Sequence, residues 1–158
     1  MEDKTKNPVA YCGLYCEDCI RYQDNIAESA QQLLDILDEN EFEKYADVKK
    51  RDVSSFENYQ HCIDVIKDIV KLHCNRPCRV GDGCPTFDCQ ILRCCKEKEY
   101  EGCWQCEQVK ECDKFDFLKA MHGDYPSKNC LIVRDHGVKG FLQRRYPSYT
   151  WDARDKTR

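Results

Sequence analysis

Fourteen cysteines in 158 residues constrain this chain more than any other feature. That density marks a fold stapled by disulfides or by metal thiolates rather than held by its apolar core alone. Apolar residues make up 41% of the chain with cysteine counted among them. Once the thiols are set aside, the remaining core is lean. The opening MEDKTKNPVAYCGLYC holds no apolar stretch of secretory length, and nowhere do about 18 apolar residues run together. A cytoplasmic location without a membrane span is therefore expected, and a reducing compartment disfavours persistent disulfides. Metal thiolates are the expected staple.

The cysteines fall into two groups. The first is Cys12-x3-Cys16-x2-Cys19. Sulfurs two or three residues apart curl the backbone round one ion, because a thiolate binds zinc at about 2.3 Å. Three ligands leave a fourth to come from later in the chain, another side chain or solvent. The second group is denser: Cys74, Cys78, Cys84, Cys89, Cys94 and the adjacent Cys95, then Cys103-x2-Cys106 and Cys112. Repeated close pairs within one short segment point to tetrahedral sites, two or three zinc ions in all. Adjacent side chains diverge on a helix, so Cys94 is taken as ligand and Cys95 as core. Cys62, beside an apolar helical stripe, and Cys130, next to Leu131, Ile132 and Val133, are expected to be buried thiols. Eleven cysteines remain as the candidate metal ligands: Cys12, Cys16, Cys19, Cys74, Cys78, Cys84, Cys89, Cys94, Cys103, Cys106 and Cys112.

Between the groups the pattern is helical. Ile26, Ala30, Leu33, Leu34 and Leu37 recur at helical spacing over 24–39, with Asp24 or Asn25 as cap. A short helix over 42–50 follows. Phe56, Tyr59, Ile63, Ile66, Ile69 and Val70 mark the apolar side of a third, and Ser54 with Glu57 has capping-box spacing. Further helices are expected over 88–98, 109–119 and 130–145, the last divided by Gly137, with turns at Gly81, Gly83 and Pro85. Strand alternation is absent. The expected fold is mainly α: one small, metal-stapled, cysteine-rich domain over 1–145, with short helices and irregular zinc-knuckle-like loops. Its helical part covers about 20–73 and its cysteine-dense part about 74–119, packing against the 12–19 motif. A loosely attached basic tail covers 146–158.

Charge narrows the function classes. The formal net charge is -4, and residues 17–47 carry ten carboxylates against Arg21 and Lys44. Each four-thiolate zinc site would add about -2. Wholesale coating of nucleic acid is thereby disfavoured. The end of the chain is basic, with Arg134, Lys139, Arg144, Arg145, Arg154, Lys156 and Arg158 beside Tyr146, Tyr149 and Trp151. This end is a weak candidate for a nucleic-acid contact. The spacing of the first cysteine group is also that of radical iron-sulfur enzymes. Such enzymes, however, place it after a barrel strand in a long β/α chain, which 158 mainly helical residues do not supply. The compact four-cysteine runs of ferredoxins are missing. Hydrolysis at an open zinc would need a water position and a neighbouring acid or base, whereas this many sulfurs point to closed sites. Glu17 and Asp18 read as exposed charges, and none of the four histidines stands out as a ligand, His73 beside Cys74 being the best placed.

YCGLYCEDC at 11–19, CNRPC at 74–78, CPTFDCQILRCC at 84–95, CWQC at 103–106 with Cys112, and NCLIVRDHGVKGFL at 129–142 together resemble DUF3795, a family of small cysteine-rich proteins. The chain departs from the family pattern in the gaps within its second, third and fourth motifs and in having Cys95 where Ala is usual. The resemblance implies zinc binding and supplies no activity. The expected function is thus a structural zinc protein, more a protein-interaction or adaptor module than an enzyme. An iron-sulfur redox or radical enzyme is the first alternative, and a weak nucleic-acid binder the second.

Overall fold

The structure, a computed structural model, describes residues 8–74, 77–81 and 88–152. Cys84, the turn residues Gly83 and Pro85, and Arg154, Lys156 and Arg158 lie outside the described residues. The fold is mainly helical. Among the described residues there is no sheet, only an isolated antiparallel bridge between Val9 and Tyr15. The chain divides into two compact units: a helical unit over 20–74, and a cysteine unit made of 1–19 and 75–158.

The helical unit contains α1 (Asp24–Glu39), α2 (Phe42–Lys49) and α3 (Tyr59–Lys71). Gln23 occupies the cap position of α1, one residue ahead of expectation. Helix α1 ends where Asn40 turns its side-chain amide onto the Ile36 carbonyl at 2.7 Å. Glu41 then enters the left-handed region at φ 48 and reverses the chain into α2. The expected capping box at Ser54 does not form. Ser54–Asn58 is a 3-10 turn entered from Val53, whose carbonyl accepts from the Phe56 amide at 3.0 Å, and α3 starts only at Tyr59. Phe42 meets Tyr45, Phe56 and Tyr59, with ring centroids 5.3, 6.0 and 5.8 Å away. Ile63 lies at the centre of the α3 stripe and is buried, and its stripe neighbours are half-buried. Cys62, expected inside, is exposed, because its place on α3 falls just outside that stripe. The unit closes at its base: the Cys74 amide donates to the Arg21 carbonyl at 2.6 Å, and Arg21 Nε donates to the Leu72 carbonyl at 2.7 Å.

In the cysteine unit, α4 (Gln90–Glu97) leads to 3-10 turns at Cys103–Gln105, Val109–Glu111 and Asp113–Leu118, then to α5 (Lys119–His122) and α6 (Tyr125–Arg144). The single helix expected over 109–119 is broken because Cys112 adopts an extended conformation, φ -77 and ψ 115. Helix α6 begins earlier than expected, with Pro126 in its first turn, where a missing amide hydrogen costs nothing. It kinks at Gly137, φ 66 and ψ 179. One core cluster joins Ile91, Cys95, Cys103, Val109, Phe115, Leu118 and Cys130. A second joins Val9, Val133 and Phe141. Residues 147–149 are not a loose tail, for Pro147, Ser148 and Tyr149 are all buried. The Tyr146 amide donates to buried Asn129 Oδ1 at 2.8 Å, Thr150 donates to the Met121 carbonyl at 3.0 Å, and the rings of Tyr125 and Tyr146 stack.

Candidate metal centre

The first cysteine motif is a tight turn tied to the rest of its unit by backbone. The Ala10 amide donates to Leu14 at 2.8 Å and the Gly13 amide to Ala10 at 2.9 Å. Gly13 stands at φ +84, and a Cβ there would lie 2.7 Å from the Pro126 carbonyl oxygen and 2.8 Å from Cys130 Sγ. Only glycine allows that turn to sit against α6. Cys16–Asp18 form a 3-10 turn, closed by the Cys19 amide on the Cys16 carbonyl at 2.9 Å. The Cys103 amide donates to the Tyr11 carbonyl at 2.8 Å, joining the turn that carries Cys12 to the one that carries Cys103 and Cys106.

Cys103 is the hub of the thiols. Its Sγ lies 3.6 Å from that of Cys95, and Cys130 is its other hydrogen-bonded sulfur. The Cys130 bond first, and burial with it, raise the Cys103 thiol far above the ordinary range, against the bond to Cys95, which lowers it. Cys95 is raised as well, first by its bond to Cys103 and then by burial. Cys94, Cys95, Cys103, Cys106 and Cys112 line a cavity of about 20 Å³, closed by Ile91, Tyr100, Val109, Lys114 and Phe115. A space that size accommodates one ion or one water. Cys12 belongs to a second neighbourhood. Burial lifts its thiol well above the usual value, and Cys78, Cys103 and Cys89 add to the effect.

Cys16 and Cys19 are half-buried, and Tyr149 donates its hydroxyl to Cys19 Sγ at 3.7 Å. Cys74 is the last residue of the helical unit. Cys95 and Cys130 are buried as expected, at 2% and 0% exposure, yet both touch the candidate ligand Cys103 rather than standing apart from it.

Three arginines matter here in ways their sequence positions do not advertise. Arg79 lies over the rings of Tyr11 and Trp104, at 4.7 and 5.1 Å, and donates from Nε to the Val9 carbonyl at 2.5 Å. Its charge lowers the Cys95 thiol, against the larger raising effects. Arg134 clamps α6 onto the Cys103–Cys106 turn, donating to the carbonyls of Trp104 at 2.8 Å and Cys106 at 2.5 Å. Arg145 grips Asp18 through Nε at 3.0 Å and Nη2 at 3.1 Å, above the Tyr15 ring. Asp18 is thus a structural partner rather than an exposed charge, and Glu17 accepts the Tyr15 hydroxyl at 2.5 Å. With burial the larger cause, that contact raises the Tyr15 phenol to about 12. Arg134 and Arg145, counted as part of a basic end, are engaged in holding the fold. Tyr146 and Tyr149 are likewise stacked within it, on Tyr125 and on His122 and Trp151.

A centre built from these residues would be all sulfur, a donor set that selects zinc, copper(I) or iron-sulfur clusters over hard cations. In chemistry the residues fit such a metal. Among the described residues, however, no group of three or more His, Cys, Asp or Glu side chains is arranged to hold an ion, and the cysteine loops are 3-10 turns without zinc-knuckle geometry. Among the same residues no helix is long and apolar enough to cross a membrane.

No curated protein and no solved structure matches the chain. Residues 8–117 match DUF3795, described as a protein of unknown function. That span takes in well over half of the sequence and all eleven candidate ligands, stopping before Cys130 and α6, and on this match the chain belongs to the DUF3795 family.

Proposed function

We propose that this protein is a structural zinc module of the cytoplasm, whose metal-tied cysteine unit supports a surface for a protein partner. The observation that carries the reading is the small cavity bounded by Cys94, Cys103, Cys106 and Cys112, with Cys95 beside them. Four of the candidate ligands, all from the segment 94–112, line a space of single-ion size. A closed site there would place the four sulfurs about 2.3 Å from one zinc. Cys12, Cys78 and Cys89, with Cys16, Cys19, Cys74 and Cys84 in reserve, form the pool for one or two further ions. Bound zinc would supply folding energy to a unit whose apolar core is small. Closed four-sulfur sites leave no position for substrate, which favours a structural role over an enzymatic one.

Elemental analysis of anaerobically purified protein, with its absorption spectrum, tests this directly. The expected result is colourless protein with two or three zinc ions per chain. Chelation under reducing conditions should then abolish the near-ultraviolet circular dichroism of Trp104. Brown protein containing iron and labile sulfide would replace the zinc reading with an iron-sulfur one. Metal-free protein that unfolds as cooperatively as the purified form would remove the metal altogether.

A further inference from the structure

The helical unit buries little. Among the described residues of 20–74 only Ala30, Ala46 and Ile63 are buried, whereas Ile26, Leu33, Ile36, Tyr45, Val48 and Val65 are each between 45 and 60% exposed. A unit of this size with two alanines and one isoleucine inside lacks the core that independent helices need. Its charge is as lopsided as its burial. Twelve Asp and Glu face seven Lys and Arg over 20–74, a net -5 in a chain whose total is -4.

The charge imbalance meets a half-buried apolar lining in one groove, which none of those six exposed side chains lines. An open cleft of about 580 Å³ runs between α1, α2 and α3, its apolar residues being Leu34, Leu37, Phe42, Tyr59 and Ile63. That volume lies in the range of clefts that take up side chains or small ligands. Asp35, Asp38, Glu41 and Glu43 line the same cleft against Lys44 and Lys67, and Lys44 is already paired with Glu41. Asp35, Asp38, Glu41 and Glu43 are exposed, so the cleft presents carboxylates around an apolar strip.

We infer that this groove docks a cationic amphipathic helix of a partner protein, with leucine-like anchors at i, i+4 and i+7 on the strip and Lys or Arg against the four carboxylates. A helix is the matching occupant because the groove is walled by helices and the unit offers no strand edge among its described residues. The cationic flank follows from charge complementarity, which repels acidic partners and nucleic acid alike. The inference rests on the interaction-module reading above and names its partner by chemistry.

The probe is a synthetic Leu/Lys amphipathic peptide of about 14 residues, long enough to form a helix on binding. Two controls accompany it, one with Glu for every Lys and one with Ser for every Leu. Each is titrated into the full-length, metal-containing protein at roughly physiological ionic strength, with binding followed by amide chemical shifts. Leu/Lys peptide alone should bind, shifting amides of 31–44 and 59–67. Asp35→Lys with Asp38→Lys should weaken it roughly tenfold while leaving far-ultraviolet circular dichroism unchanged. Comparable binding of the Leu/Glu or Ser/Lys peptide, shifts confined to the cysteine unit, or no binding overturns the inference. So does concentration-dependent self-association abolished by the double variant, which would assign the groove to a second copy of the chain. Zinc content measured on the same sample keeps the two claims apart: metal-free protein that still binds the peptide refutes only the metal centre, and zinc-loaded protein that ignores it refutes only the groove.

Discussion

Gly13 sits where a left-handed turn passes within contact distance of α6, and both facts forbid a side chain there. Gly13→Ala adds backbone strain at φ +84 to a close approach on a main-chain oxygen and a buried sulfur, neither of which is a flexible tip. The expected cost is roughly 2–5 kcal/mol, read as a loss in chemical denaturation. A second residue gives a pH-dependent signature. His122 is buried, its Nδ1–H donates to the Ser148 carbonyl, and its ring stacks on Tyr149. Burial holds its pKa below the ordinary 6.5 despite that bond. Below pH 6.5 the unfolded chain therefore takes up a proton that the folded ring resists, so His122 leaves stability untouched above that pH and erodes it as pH falls. The slope from this residue reaches at most about 1.4 kcal/mol per pH unit. Stability of the His122→Gln variant, measured from pH 7.5 to 5, should fall less steeply than that of the parent protein. Parallel curves would mean that the folded ring titrates normally. At this scale the sequence displays its thiols plainly, since density and spacing are visible in one dimension. Arg79 has no such signal: nothing in a lone arginine after Cys78 announces that it will lie over Tyr11 and Trp104.

Helices over 24–39 and 42–49 were legible because apolar spacing governs both, and α3 was legible in its stripe but not in its start. Local hydrogen bonding decided that start, a 3-10 turn taking the place of a cap. The break at Cys112 was hidden for a related reason, because extended backbone at one residue leaves no mark on hydrophobic periodicity. Gly137 was legible as a divider of α6, and its backbone shows why. At φ 66 and ψ 179 it occupies a region that essentially only glycine populates, while a Cβ there would meet nothing within 4 Å. Gly137→Ala should thus cost about 1–3 kcal/mol from conformation alone, with no packing contribution. Thermal unfolding checks it: a lower midpoint is expected, and an unchanged one would mean that the helix passes through 137 without its break.

Taken whole, the molecule separates its resources by unit. Twelve of the fourteen cysteines belong to the cysteine unit, and the helical unit keeps only Cys62 and Cys74. The excess negative charge belongs to the helical unit. Composition read over the full chain averages these away, which is why a single metal-tied domain was the natural expectation. The division also follows an unusual path along the sequence: the cysteine unit is interrupted after Cys19 and resumes at Asn75.

That interruption has a neck. Where the Cys74 amide meets the Arg21 carbonyl, the two ends of a 55-residue excursion are pinned within one hydrogen bond of each other. Whatever happens beyond the neck changes the distance between Cys19 and Cys78 along the chain but need not change it in space. The excursion can therefore lengthen, shorten or exchange its surface residues while the sulfurs on either side keep their places. Spacing between Cys19 and Cys74 is, on this geometry, a free variable of the fold, and the groove-bearing segment short of the neck is the part that selection can rewrite without touching the candidate ligands.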